Sequence, residues 1–385
     1  MYESLIKPFE SVALDLFETA ADLLDTRKKE LSRTHASVEL PRDLYAHSDV
    51  QTEWWYYTGH CRTESEREFG FELVFFKRRT DHDQIGIIPL RLIANPMYAA
   101  HFAITDVSRA KFTYEHRRSF NKPFDMPVQM REDRYSLKVG DWTIDEDNGS
   151  HILRASLKDG SRFEAVLESA KDPVLNGDGE GVTSKGDGGK AHHFSLTRMA
   201  VAGRLTGGSS VERFTGSAWM DKEFGTWDQK FWDWFSIQLD DGTELMVYHF
   251  RTEDGKTEEH THAVFVDEDG RSTHLTSEEF EIAHEREWTS SKTGTSFPAV
   301  WNIGVPALDL ELKLMPLIAD QELDTRGTTM VIYWEGCCGV TGSRDGGEIE
   351  GRAYAELVGY DKSGQTMTLT SFFLGTPISR ILDLF

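Results

Sequence analysis

The segment that decides the fold reads Thr52-Glu53-Trp54-Trp55-Tyr56-Tyr57-Thr58-Gly59-His60, followed after a polar turn at 64–68 by Phe69-Gly70-Phe71-Glu72-Leu73-Val74-Phe75-Phe76. Runs this rich in aromatic and β-branched residues, split by a short charged turn, describe two antiparallel strands. Successive side chains on a strand point to opposite faces, so Glu53, Trp55 and Tyr57 share one side and Trp54 and Tyr56 the other. If one of these sides faces a barrel interior, it forms a ring-lined wall with a carboxylate set into it.

Outward from this hairpin the texture persists. His101-Phe102-Ala103-Ile104-Thr105-Asp106 is a further strand, and from Pro41 almost to the C-terminus short runs of Val, Ile, Phe, Tyr, Trp and Thr alternate with turns. The pairs Asp159-Gly160, Asp241-Gly242, Asp254-Gly255 and Asp269-Gly270 each sit between alternating segments, a strong hairpin signal. The expectation is an all-β chain of antiparallel meanders. A chain of 385 residues predicts two or three folded units. Strands at roughly ten-residue spacing suffice to close a barrel in each of two units, with a sandwich as the alternative. The break Thr206-Gly207-Gly208-Ser209-Ser210 sets the expected division: an N-terminal segment 1–45, a first barrel 46–210 and a second 211–385. The polar, glycine-rich tract 176–190 reads as a mobile surface loop. Upstream, Leu5, Phe9, Val12, Leu16, Ala20 and Leu23 recur at steps of three and four. That spacing predicts an amphipathic helix to about Lys29, its other face acidic.

Composition limits the function. With 42 Lys and Arg against 65 Asp and Glu the formal charge is −23, which opposes binding to nucleic acid or to an anionic bilayer. No run approaches the ~20 apolar residues of a membrane span, and the N-terminus does not follow the signal-peptide pattern, so a cytoplasmic protein without an integral membrane segment is expected. Cys61, Cys337 and Cys338 are too few for a disulfide framework and are expected as free thiols. There is no phosphate-binding glycine loop, no Gly-x-Ser-x-Gly elbow and no zinc-type cysteine spacing, which argues against nucleotide enzymes and hydrolases. His260-x-His262 is half of a metal site at most, with no further ligand identifiable; no metal is expected.

The ordered series Thr-Glu-Trp-Trp-Tyr-Tyr-Thr-Gly-His, aromatic-Gly-Phe-Glu-Leu and Ala100-His101-Phe102-Ala103-x-x-Asp106 resembles the carotenoid 1,2-hydratase family, also called hydroxyneurosporene synthase or AttH-like. Later motifs agree: Gly216-Ser217-Ala218-Trp219-Met220-Asp221-Lys222-Glu223-Phe224-Gly225, Trp234-Phe235-Ser236-Ile237-Gln238-Leu239, Tyr333-Trp334-Glu335-Gly336 and Gly351-x-x-Tyr354-x-Glu356-Leu357-x-Gly359-Tyr360. The likeness extends over residues 46 to 375. It implies two lipocalin-like barrels in tandem. It also implies chemistry on lipophilic molecules, since relatives hydrate double bonds of carotenoid precursors or of a prenylated isoflavonoid, catalyse cyclisations, or carry lipids. Where the hydratase branch carries His-x-Trp and Tyr-x-Asp, this chain reads Lys222-Glu223-Phe224 and His249-Phe250-Arg251.

Hydrating an isolated alkene requires a proton donor, a dry pocket that tolerates a carbocation, and a base that positions water. Asp221 and Glu223, two apart beside Trp219 and Phe224, put both carboxylates on one side of an extended segment, where repulsion raises a pKa. They are the expected donor pair; Glu53 and His101 are expected to position the water, with Asp106 able to orient a histidine. Trp54, Trp55, Tyr57, Trp219, Trp232, Trp234 and Tyr333 are the expected walls for a lipophilic small-molecule ligand, ring faces stabilising a cation. Such chemistry calls for no cofactor. The alternatives are a non-catalytic carrier with the same aromatic wall, or a cyclase on the same scaffold.

Overall fold

The computed structural model describes residues 37–361 except 82–83, 86–87, 90–94, 123–124, 187–188, 209 and 228–229; the helix expected over 5–29 lies outside the described residues. The described chain is almost entirely β. It forms a 13-stranded sheet that curls into a nearly closed barrel and a 10-stranded sheet that makes a half-barrel. Lipocalin-like architecture in tandem is therefore present.

The opening hairpin lies at the centre of the first sheet. Thr52–Thr63 pairs on one side with Glu68–Arg78, which pairs in turn with Met97–Asp106, and on the other side with Ser210–Thr226. The second sheet runs outward in both directions from Trp232–Leu239, which pairs with Glu244–Phe250 and with Gly347–Val358; the latter pairs with Ile332–Arg344. The hairpins predicted at Asp159-Gly160, Asp241-Gly242 and Asp269-Gly270 are all formed. In each, the glycine adopts a φ of +87°, which L side chains rarely tolerate.

Two expectations need correction. Ser210–Thr226, expected to open the second barrel, is a central strand of the first, registered along its length with Lys190–Gly207. The long hairpin reverses between Gly207 and Ser210, and the change of sheet falls between Thr226 and Trp232. The described residues of the tract 176–190 form a built strap and not a loose loop. One wide helical turn at Gly177–Gly181 leads into Val182–Ser184, which pairs with Lys190–Gly207. Asn176 and Lys185 are buried within it, Asn176 Nδ2–H donating to Ser195 Oγ at 3.1 Å and Lys185 forming an ion pair with Glu223.

The first barrel is filled by its own side chains. Trp55, Tyr57, Phe71, Phe75, Phe102, Trp142 and Phe163 are fully buried in one cluster, so this interior is a packed core and not a ligand chamber. The two sheets are held together across a polar seam. Thr105 Oγ1 donates to Gln321 Oε1 at 2.8 Å, Ser217 Oγ to Gln238 Oε1 at 2.8 Å, and Lys171 Nζ to Gly242 O, Asp267 O and Glu244 Oε2, each at 2.7 Å. The approach is close enough that a Cβ on Gly70 would overlap Cys337 Sγ and Tyr354 Oη.

Candidate active site

An apolar space lies between the two sheets. It is a cleft of about 500 Å³ whose first wall is the outer face of the first barrel, contributing Trp54, Tyr56, Val74, Phe76, His101, Asp221 and Glu223. Its second wall comes from the half-barrel and contributes Trp232, Trp234, Tyr248, Tyr333, Glu356 and Val358, with Trp227 from the crossover. A wider groove of about 670 Å³ on the outside of the first barrel is lined by Arg62, Arg154, Arg204, Arg213 and Glu164. It is open to solvent and several of its charges are paired, Arg62 with Glu66 and Arg204 with Glu164, so the cleft is the candidate site.

Strand alternation divides the predicted wall residues. Trp54 faces the cleft, edge-on to Trp227 at 5.1 Å and stacked towards Trp232 at 6.4 Å. Tyr56, on the same face, meets the Trp234 ring at 5.1 Å. Trp55 and Tyr57 were expected in the wall but point into the packed first barrel. There the Trp55 Nε1–H donates to Leu44 O at 2.8 Å, and Tyr57 Oη bonds to Tyr135 Oη at 2.5 Å and His151 Nδ1 at 2.8 Å. Trp219 packs beneath the cleft against Trp234. Trp232, Trp234 and Tyr333 line it. Trp234 is 3% exposed and its indole N–H has no acceptor among the described residues.

Glu53 shares the inward face with Trp55 and is not among the residues that line the cleft. Its carboxylate accepts from Lys222 Nζ at 2.5 Å, Lys77 Nζ at 3.1 Å and the His47 backbone N–H at 3.1 Å, and meets His47 Nδ1 at 2.7 Å. Burial opposes ionisation, but Lys222 and Lys77 outweigh it and hold Glu53 well below the usual carboxylate range. It is a structural anion, and the expectation that it positions water is corrected. Asp106 is likewise engaged with Arg67 Nη2 at 2.7 Å and orients no histidine.

Asp221 and Glu223 share the cleft face, as their spacing predicts, and both are tightly held. Asp221 accepts from Ser195 Oγ at 2.5 Å, Trp219 Nε1–H at 2.8 Å and His193 Nε2–H at 2.9 Å. Glu223 is paired with Lys185, whose ammonium also lies 3.9 Å from the Tyr248 ring and 4.8 Å from that of Phe250.

Among the described residues, the carboxyls whose pKa is raised are three that carried no predicted role. Glu356 lines the cleft and accepts from Trp232 Nε1–H at 3.0 Å. Burial, with the fields of Glu223 and Asp221, pushes it up to about 7. Glu72 is pushed by burial up to about 8, and Glu335 is driven well above its ordinary value by burial and by the fields of Glu72 and Glu356. Tyr56 Oη–H donates to Glu335 Oε1 at 2.6 Å and Tyr333 Oη–H to Glu72 Oε1 at 2.9 Å, while the second oxygens of Glu72 and Glu335 have no partner among the described residues. His101 Nδ1 lies 2.8 Å from Tyr333 Oη; burial and the nearby His116 keep its ring neutral, far below the usual histidine range. The cleft thus holds, inside aromatic surroundings, a protonatable carboxyl from the half-barrel wall and a Tyr–His pair that bridges the two walls. A signal for Glu72 and Glu356 was present: two-residue spacing puts them on the faces of Val74 and Phe76, and of Tyr354 and Val358, that turn towards the other sheet.

A family model described as AttH-like matches residues 32–360. Among solved structures, an AttH-type protein from Nitrosomonas europaea is 26% identical, covering 86% of this chain and 99% of its own with a TM-score of 0.73. Kievitone hydratase from Nectria haematococca is 15% identical, covering 86% and 97% with a TM-score of 0.65, and shares the fold. No curated protein matches the chain in sequence.

Proposed function

The chain belongs to the AttH-like family, and on that premise we propose that it adds water across a carbon–carbon double bond of a lipophilic, isoprenoid-type molecule held between its two sheets. The observation that carries this reading is Glu356, a half-buried carboxyl that lines an aromatic cleft, bonded to the Trp232 indole N–H and pushed up to about 7. A carboxyl that is still substantially protonated at neutral pH is a competent general acid. It protonates the alkene; the ring faces of Trp54 and Trp232 stabilise the cation that results. Water then attacks, oriented by His101 and Tyr333, which accept its proton.

Asp221 and Glu223 act in this scheme through their field on Glu356, not as donors themselves, since their own hydrogen bonds and ion pair occupy them. The unpartnered Trp234 N–H suits a ligand oxygen, so the preferred molecule has an apolar body and one hydroxyl or carbonyl. The cleft volume lies in the range that encloses a single small molecule, and takes the end of a carotenoid-like polyene and not its whole length. The name of kievitone hydratase, a structural relative, is consistent with alkene hydration on this scaffold.

The test extracts co-purifying lipophiles from the protein, identifies them by mass spectrometry and incubates them with it in heavy-oxygen water. Labelled hydroxyl should appear with the native chain and be lost with Glu356→Gln. A bound lipophile recovered unlabelled and unchanged overturns the enzyme reading and makes the protein a carrier.

A further inference from the structure

We propose that Tyr333, His101, Thr328 and His116 form a proton wire that connects the buried wall of the cleft to solvent. The chain of contacts is continuous. Tyr333 Oη lies 2.8 Å from His101 Nδ1, His101 Nε2 lies 3.3 Å from Thr328 Oγ1, and Thr328 Oγ1 lies 2.8 Å from His116 Nδ1. Tyr333 and His101 line the cleft, Thr328 is buried, and His116 is half-buried at the outer end among Lys158, Asp324, Glu115 and Arg118. At the inner end Tyr333 also touches the Glu72 carboxyl at 2.9 Å.

Every member can both give and take a proton: two hydroxyls and two imidazoles. In the outward arrangement the Tyr333 O–H has turned from Glu72 Oε1 to donate to His101 Nδ1, His101 Nε2–H donates to Thr328 Oγ1, and Thr328 O–H to His116 Nδ1. When a proton reaches Tyr333 Oη, each of these O–H or N–H bonds breaks once and re-forms on the next atom, and one proton leaves His116 Nε2 for water. Nothing is oxidised or reduced. The neutral state of His101 suits it to this task, because a fixed imidazolium would block transfer. Thr328 is the slow link: its single hydrogen is contested by the Thr325 carbonyl at 3.1 Å, so its hydroxyl must rotate for a proton to pass.

The role of the wire rests on the acid–base reading above, for it removes the proton that water releases at the His101 and Tyr333 wall. Its test needs no ligand, and so can fail or succeed independently of that reading. The protein is transferred into heavy water at about pH 6, where Glu72 is protonated, and the shift of its carboxyl C=O band is timed by infrared spectroscopy. The band is assigned by its loss in Glu72→Gln. Thr328→Val and His116→Asn should each slow the exchange by an order of magnitude, and Thr328→Ser should restore the native rate. Native-rate exchange in His116→Asn overturns the wire, whether or not Thr328→Val folds.

Discussion

Glu356 and Glu53 are both carboxyls on strands of the same protein, the first half-buried at the cleft and the second fully buried, and their surroundings send them in opposite directions. Glu53 sits between two lysine ammonium groups, whereas Glu356 meets an indole N–H and the fields of two further carboxylates. The first is fixed as an anion and the second is held near neutrality, which is how one scaffold separates structural from chemical acids. Glu356→Gln should reduce turnover by about 10²–10⁴-fold, the usual contribution of a positioned general acid. In the native protein, activity that needs the protonated form is full below about pH 7 and falls as pH rises through it, and a rate–pH profile reads this directly. Glu53→Gln acts on stability instead. It leaves Lys222, itself wholly buried, without its counter-charge, at a cost of about 3–5 kcal/mol. Urea titration that gave a native midpoint for this variant would show that the network holds nothing together.

At the scale of the element, strand alternation was legible in the sequence and its orientation was not. The period-two pattern of Thr52–Thr63 correctly separated Glu53, Trp55 and Tyr57 from Trp54 and Tyr56. It could not say which set faces the barrel interior, because both faces of this strand are buried: one by the core, the other by a second sheet. Aromatic content alone cannot distinguish packed rings from ring-lined space, so Trp55 and Tyr57 were expected in the wall. The hairpin turns were legible from Asp-Gly pairs, since their chemistry is local. The strap over 176–186 was not, because it is tied down by a long-range ion pair from Lys185 to Glu223. Glu72, Glu335 and Glu356 were visible as motif residues, but their displaced pKa values come from the meeting of two sheets, which no local pattern encodes. Gly70 marks that meeting. Gly70→Val should force the sheets apart, at about 1–3 kcal/mol by analogy with overpacked cores. Because the first barrel's own core is untouched, the variant should lose ligand affinity more than it loses folded structure, as followed by tryptophan fluorescence and circular dichroism.

Over the whole molecule, the acids collected at the inter-sheet seam give stability a pH dependence with a definite sign. Glu72 and Glu356 have folded-state values of about 8 and about 7 against an ordinary 4.5, and Glu335 is displaced the same way. A group raised in the folded state contributes its stabilisation fully below its unfolded value and loses it as pH rises through the folded one. For Glu356 the loss therefore accrues between pH 4.5 and about 7 and reaches about 3 kcal/mol when complete. Glu356→Gln, which keeps an oxygen to accept from Trp232 and removes the titration, should match the native melting temperature near pH 4.5 and exceed it at about pH 8.5. A difference that did not change with pH would mean that Glu356 titrates as an ordinary surface carboxyl and cannot be the acid proposed. The same seam that makes the cleft reactive is thus the part of the fold that neutral pH weakens, and a ligand that excludes water from it should raise the melting temperature most where the carboxyls are still protonated.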